Sequence, residues 1–353
     1  MNMASICLAM IVKNEEKIIK RCLQSVSGLI DYWVICDTGS EDKTKEIIIE
    51  EMEGIEGELF EDEWVDYGHN RSLSLERAKG KADYTLVMDA DFIMLATEKI
   101  ERIKNNLAAD AYSFKVNDFD LNLLFNNRKN WRYIGKAHEY PSCDGDYSSE
   151  PIKGLRIFHT AQGSNRANKG ERERELLLKD LDAANNLHRT HFYLGQNYAD
   201  AGIQDKAIEH YNQSIQLNPS PEERFVAQCR ISSLTTAPQD WFKAMTMRPQ
   251  RYEPYLALAK IHNQRSQHHL GFMFAKAGIE LEPCSDLVFN AWESERWELY
   301  DQLSVSCYWL QRFDSGLKAL GTMMRECRIP RQELQRIREN YDYYWDMMVK
   351  SNA

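Results

Sequence analysis

Along the first ~165 residues, short apolar runs alternate with stretches of helical spacing. Ser5–Val12 reads as a buried strand, and Glu15–Val26 then sets Ile18, Ile19, Cys22, Leu23 and Val26 on one helical face. Tyr32–Cys36 predicts a second strand, followed by the turn Asp37-Thr38-Gly39-Ser40 and a helix near Lys43–Met52. Leu59–Phe60 belongs to a third strand, a helix runs around Asn70–Ala78, and Tyr84–Met88 is a strand ending in Asp89-Ala90-Asp91. Much later, Leu155–Phe158 predicts a strand that ends at His159. Alternation of this kind predicts an α/β fold with a mostly parallel sheet covered on both faces. Ligands of such sheets bind beyond the carboxyl ends of the strands, and that is where the polar clusters fall.

After about Gly163 the strand pattern stops. Arg166–Asp182 is highly charged and reads as a linking helix. From His188 to Pro219, residues Leu194, Gly195, Tyr198, Gly202, Ala207, Tyr211, Ser214 and Pro219 fall where a helix-pair repeat of roughly 34 residues places its packing positions. Tyr255, Leu258, Ala259, His262, Gly271, Ala275, Gly278 and Pro283 repeat the register. Phe225–Pro249 reads as a shortened copy, and Trp297, Leu303, Ser304, Cys307, Gly316, Leu320 and Met323 as a degenerate one. One such spacing arises by chance in an unrelated bundle; several in register do not. The expected organisation is therefore residues 1–165 as an α/β unit, 166–186 as a charged link and 187–353 as an all-α tetratricopeptide-like array. Stacked helix pairs build a concave surface for a partner and do no chemistry themselves.

Composition narrows the class. The 353 residues are 43% hydrophobic, which excludes a disordered chain. The net charge of -10 argues against a protein that coats nucleic acid, although a local basic groove is still allowed. The longest apolar run, Ile6–Val12, is far short of the ~20 residues of a membrane span, and the amino terminus lacks a basic segment and a small-residue cleavage site. Eight scattered cysteines fit a reducing compartment, with neither a disulfide framework nor a Cys-rich zinc site. The expectation is a soluble cytoplasmic protein.

Four polar clusters carry the candidate chemistry. Asp89 and Asp91, one residue apart at a strand tip, can converge on a hard divalent cation such as Mg2+ or Mn2+. A solvated turn is the plainer reading of that tripeptide, but apolar residues on both sides make unpaired acids costly there. Asp37 would face the same sheet edge and could accept from a nucleobase N–H, while Gly39 permits the turn and Ser40 or Asp42 caps the next helix. Lys13-Asn14-Glu15 ends the first strand, and His69-Asn70-Arg71 opens a helix with a guanidinium suited to phosphate or carboxylate. There is no Walker loop, dinucleotide-binding glycine pattern, His-Glu-x-x-His or Gly-x-Ser-x-Gly. His268-His269 reads as a solvated helix face. Asp144–Ile152 and Gly163–Gly170 are candidate lids.

The run LAMIVKNEE, then DYWVICDTGSEDKT, then GHNRSLSLERAKGKADYTLVMDAD, resembles the amino-terminal half of a family-2 glycosyltransferase with the GT-A fold. The later WRYIGKAHEY and LRIFHT, followed by tetratricopeptide (TPR) units, resemble the branch that joins this domain to such repeats. The resemblance implies a nucleotide-diphosphate sugar as donor, a UDP-sugar first, and inverting transfer with Mn2+ or Mg2+. It places Lys13, Asn14, Glu15 and Asp37 around the nucleoside, with Gly39 and Ala90 in the same motifs. Arg71 would approach the donor, Asn70 would support its loop, and Asp89 would touch the ribose or the metal. Asp91 would ligate the metal, and His159 is similar to a distal metal ligand. Glu139 is the preferred general base and His138 the second choice; in the competing reading both merely anchor a loop. The family's usual Asp, in a Glu-Asp type pair after the sheet, has no clean copy here.

The leading expectation is thus a glycosyltransferase whose repeats present a peptide, protein or glycan acceptor. A modified nucleic-acid base stays among the acceptors if the groove is locally basic, and dimerisation through the repeats is open. The alternative is a catalytically decayed scaffold or sugar-nucleotide sensor. A nucleotidyltransferase is disfavoured because its Gly-rich, basic triphosphate loop is missing.

Overall fold

A computed structural model describes residues 3–116, 119–163, 169–183, 186–218, 220–284 and 292–351. The chain divides into two compact units, residues 1–186 and 187–353.

The first unit opens with β1 (Ile6–Val12), α1 (Ile19–Val26), β2 (Tyr32–Asp37), α2 (Thr44–Glu51), β3 (Gly57–Glu61), α3 (Tyr67–Ala78) and β4 (Tyr84–Val87). It continues with β5 (Phe92–Ala96), α4 (Ile100–Asn105), β6 (Ala111–Val116), β7 (Phe119–Asn126), β8 (Trp131–Ile134), β9 (Tyr140–Cys143), β10 (Ser149–Pro151) and β11 (Leu155–His159). The charged helix α5 (Lys169–Asp182) closes it.

The main sheet runs β3-β2-β1-β4-β7-β6-β11-β5, with β10 also on β6; β8 and β9 form a separate hairpin. Strands β3, β2, β1 and β4 are mutually parallel, as the alternation of apolar runs and helices requires. Beyond β4 the sheet changes character: β7 is antiparallel to both β4 and β6, and β5 is antiparallel to β11. Because two reversals restore direction and β11 is parallel to β6, β11 points the same way as β1 and β4. One edge therefore collects Lys13, Asp37, Asp89 and His159.

β1 is buried almost throughout, a strand with covered faces on both sides. Its odd and even residues enter two separate cores. Ile6, Leu8, Met10 and Val12 pack with α1 and α2, while Cys7 and Ala9 pack with Leu75, Ala78 and Phe125. Helix α1 begins only at Ile19, four residues later than the apolar spacing from Glu15 predicts. Glu15 lies upstream of the helix, and its carbonyl accepts the N–H groups of Ile18 and Ile19. Asp66 caps α3 by accepting the His69 N–H at 2.7 Å.

The second unit is a succession of helix pairs: α6 (Leu187–Asp200) with α7 (Gln204–Leu217), α8 (Pro221–Thr235) with α9 (Pro238–Met247), α10 (Glu253–Gln264) with α11 (His268–Ile279) and α12 (Trp292–Trp309) with α13 (Phe313–Glu326). A last helix, α14 (Leu334–Ser351), follows a short 3-10 turn. Small residues do the work expected of them. A Cβ on Gly195 would sit 2.7 Å from the Tyr211 ring, and one on Gly316 would sit 2.2 Å from that of Tyr344. Pro219 lies outside the described residues, as do the start of the linking stretch and most of the candidate lid after Gly163. His268 is not simply solvated: its ring stacks on Trp309 at 5.3 Å. Among the described residues no helix is long and apolar enough to cross a membrane.

Candidate functional site

The site is built on the loops that follow the parallel strands. The β1–α1 and β2–α2 loops are laced together. The Asn14 N–H donates to Ser40 Oγ at 2.8 Å, and Asn14 Oδ1 accepts the Glu41 N–H at 2.8 Å. The Glu15 N–H donates to Thr44 Oγ1 at 2.7 Å and the Glu16 N–H to Asp42 Oδ2 at 3.1 Å. Asn14 takes a positive φ of 55°, a conformation asparagine tolerates better than most residues. Its side chain thus joins two loops.

Asp37 is fully buried, and its Oδ1 accepts the N–H groups of Gly39 and Ser40 at 2.9 and 2.7 Å. Gly39 turns with φ 98°, and a Cβ there would lie 3.7 Å from the Lys13 ammonium nitrogen. The second oxygen, Asp37 Oδ2, is buried with no hydrogen-bond partner among the described residues. An acceptor left unsatisfied in this way costs free energy unless a ligand donor fills it.

Arg71, on the first turns of α3, holds the centre. Its Nη2 donates to Asp89 Oδ1 at 2.7 Å and its Nε to Glu139 Oε1 at 2.6 Å, and its guanidinium lies 5.8 Å from the Tyr133 ring centre. Burial opposes the charge of Arg71, but the Asp89 and Glu139 carboxylates outweigh it and hold the group cationic. Glu139 moves the other way. Burial raises its pKa above the ordinary carboxylate value, and Arg71 offsets this only in part because its one charge is shared with Asp89. Neighbouring Asn70 is buried and braces the preceding loop, donating to the Glu63 carbonyl at 2.9 Å and accepting the Val65 N–H at 3.0 Å.

The loop between β8 and β9 carries His138 and Glu139 and lies on the start of α3. Gly68 is the contact point: a Cβ there would meet the Gly135 carbonyl oxygen at 2.1 Å. The Tyr67 N–H donates to the Lys136 carbonyl at 3.1 Å. Gly135 and His138 both have positive φ, 97° and 52°. His138 is partly exposed, with Nε2 4.0 Å from Glu173.

Asp91 and His159 meet through strand register. β5 starts at Phe92 and pairs antiparallel with β11, with Phe92 opposite His159, so Asp91 falls beside the imidazole. Asp91 Oδ2 and His159 Nε2 are 2.9 Å apart. The Asp91 carbonyl accepts from both the N–H and the hydroxyl of Thr160. The backbone of Gly163 passes close by: a Cβ there would lie 3.6 Å from both Asp91 Oδ2 and Glu15 Oε1. Ala90 is buried between the two acids. No set of three or more His, Cys, Asp or Glu side chains positioned for a metal occurs among the described residues. A carboxylate oxygen and an imidazole nitrogen that converge at one point do fit a divalent cation whose other ligands come from a diphosphate.

The candidate residues thus fall into three groups. Asp37 and Gly39 sit with Lys13 at the ends of β1 and β2; Arg71 joins Asp89 to Glu139; Asp91 meets His159. Sequence reasoning missed Arg21, whose Nη2 reaches Thr160 at 2.9 Å and Gln162 at 3.2 Å, and whose Nε is buried with no hydrogen-bond partner among the described residues. Its position on a helix face next to Cys22 gives no sign of this. Tyr133 was also missed; its aromatic place in a short strand is the only signal.

A family model described as glycosyl transferase family 2 matches residues 7–160, and a tetratricopeptide repeat model matches residues 188–221. The chain is 30% identical over 148 residues to a TPR repeat-containing protein of Synechococcus elongatus, a match covering 39% of this chain and 35% of that protein. It spans about a third of the length of this curated relative. Among solved structures, S. aureus TarS is similar over 68% of this chain and 54% of that one, at 13% identity and a TM-score of 0.37. MamA is similar over 45% of this chain and 89% of its own, at 17% identity and a TM-score of 0.35. The chain joins a family-2 glycosyltransferase domain of GT-A fold to a tetratricopeptide helical array.

Proposed function

We propose that the protein transfers a sugar from a nucleotide-diphosphate donor to an acceptor with inversion at the anomeric carbon. The observation that carries this reading is Arg71, whose guanidinium ties Asp89 of the Asp-Ala-Asp motif to Glu139, 2.7 and 2.6 Å away. The buried, unpartnered Asp37 Oδ2 supports a nucleobase N–H as the group that completes it. Asp91 and His159 would hold Mn2+ or Mg2+, which when bound supplies Lewis-acid neutralisation of the diphosphate.

The bond from the anomeric carbon to the leaving phosphate oxygen breaks, and its electron pair departs with the nucleoside diphosphate. The acceptor heteroatom forms the new bond from the opposite face, and its proton passes to the Glu139 carboxylate. Burial suits Glu139 to that role, because a raised pKa makes it a better proton acceptor than an exposed carboxylate. His138, half-exposed beside Glu173, is the weaker choice. Recognition of a peptide, protein or glycan acceptor falls to the helical array. There Arg189, Phe192, Tyr193, Asn218 and Glu223 line a small cavity between the first repeat and α8.

Incubation with a panel of UDP- and GDP-sugars and Mn2+, alone and with cell extract, followed by mass spectrometry, tests this. Release of nucleoside diphosphate with a sugar-sized mass gain on an acceptor is expected. Asp91→Ala and Glu139→Gln should each abolish that gain. Donor binding without turnover across the panel would instead favour the sensor reading.

A further inference from the structure

Helix α5 lies beyond the stretch matched to the glycosyltransferase family, yet it returns to the loop that carries Glu139. Asp180 Oδ2 accepts the Lys136 N–H at 2.6 Å. Two turns earlier Glu173 stands 4.0 Å from His138, and after the helix the Asn186 amide donates to the Tyr140 hydroxyl at 2.8 Å. Asp180 is only 4% exposed and Leu177, on the same face, 1%. A carboxylate buried this deeply is tolerated only when hydrogen-bonded, and its partner here is the Lys136 backbone amide of the loop that carries Glu139.

The loop needs such support. It has a non-glycine residue, His138, at positive φ and a second left-handed turn at Gly135, conformations that persist only where surrounding contacts enforce them. From one side Tyr67 and Gly68 press on Gly135 and Lys136; from the other Asp180 takes the amide of Lys136. The backbone three residues before Glu139 is gripped on both faces.

We propose that Asp180 is a positioning residue for sugar transfer: it pins the Lys136 backbone and so holds Glu139 against Arg71. This rests on Glu139 as the base, the reading given above. Misplacement of a reacting group by about an ångström is enough to cost a large factor in rate without weakening substrate binding.

The test uses the full chain with Asp180→Ala, Asp180→Asn and Glu139→Gln. It follows amide hydrogen exchange and the hydrolysis of UDP-glucose, UDP-N-acetylglucosamine, UDP-galactose and GDP-mannose with Mn2+. In Asp180→Ala, exchange should quicken about tenfold or more in peptides spanning residues 133–140 and stay unchanged in β1 and β2. The kcat for hydrolysis should fall about tenfold while donor KM stays within about twofold. Asp180→Asn keeps one carbonyl acceptor and should recover part of that kcat; if Asp180→Ala does not fold, Asp180→Asn is read by the same criteria. Unchanged exchange at 133–140, an unchanged kcat, or a KM that rises in step with the loss would overturn the role of Asp180 alone. Full activity in Glu139→Gln would overturn the base itself, and the positioning role with it.

Discussion

Arg71 stands where three segments distant in sequence meet: the start of α3, the tip after β4 and the loop before β9. The buried guanidinium is costly to remove, because Glu139 then stays buried without a counter-charge, whereas the half-exposed Asp89 can turn to water. Arg71→Ala is therefore expected to cost about 3–5 kcal/mol of stability, read by denaturant unfolding, and to end donor hydrolysis. Arg71→Lys should recover stability better than turnover, since a point charge cannot copy the two-pronged geometry. Arg71, Asp89 and Glu139 were each visible in the sequence as polar residues at strand or loop ends. Their union was not, because Arg71 and Glu139 are 68 positions apart and joined through an irregular loop. Asp37 was the most legible of the set. Its place after an apolar strand and before a glycine turn states both its burial and its direction.

The elements were legible in proportion to their length and apolar content. β1, β2, β4 and β11 are read directly from apolar runs. The stretch from β5 to β10 was not, and the reason is physical. β8 has four residues and β10 three, all exposed in β10, so neither shows an apolar period. β8 pairs antiparallel with its neighbour β9 and β10 parallel with the distant β6, so neither follows a βα alternation.

The helix pairs were legible through their small residues, and these give a direct test. Gly316→Ala would drive a methyl into the Tyr344 ring, and a loss of about 1–3 kcal/mol is expected in thermal or chemical unfolding of the array. A second test is electrostatic. His191 on α6 and His210 on α7 bring their Nδ1 atoms within 2.9 Å, and the His210 ring stacks on Tyr198. Burial lowers both pKa values below 6.5, and for His210 the neighbouring His191 adds to the effect. The unfolded chain then binds more protons than the folded one as pH falls through about 6.5, so stability drops below that pH and is fully present above it. Melting temperature measured from pH 8 to pH 5 should show this fall, and His210→Phe should flatten it. A melting temperature that stays level, or rises on acidification, contradicts the assignment.

At the scale of the whole molecule, the acidic balance of the sequence acquires a location. Asp37, Asp89 and Asp91 gather at one sheet edge with Glu139 on the adjoining β8–β9 loop, where Arg71 pairs with Asp89 and Glu139 and His159 hydrogen-bonds with Asp91. Charge composition hid the packing of one element. The run from Arg166 to Asp182 reads as a linking helix, with ten of its seventeen residues charged. Yet Leu177 and Asp180 are buried, and the helix falls within the first compact unit. Residues 1–186 expressed alone are therefore expected to melt cooperatively, as followed by calorimetry. A shorter piece ending at residue 165 should melt at lower temperature and over a broader range, having lost the groups that α5 lends to the β8–β9 loop.

That helix also decides where such a protein can be recombined. A junction drawn at residue 160, where family likeness ends, would leave each chimera with a foreign partner for Lys136. A junction between residues 186 and 187 hands over the repeats as a cassette and leaves the β8–β9 loop with its own support. Exchange of helical arrays among relatives, in the laboratory or over the history of the family, is expected to succeed at the second boundary and to fail at the first.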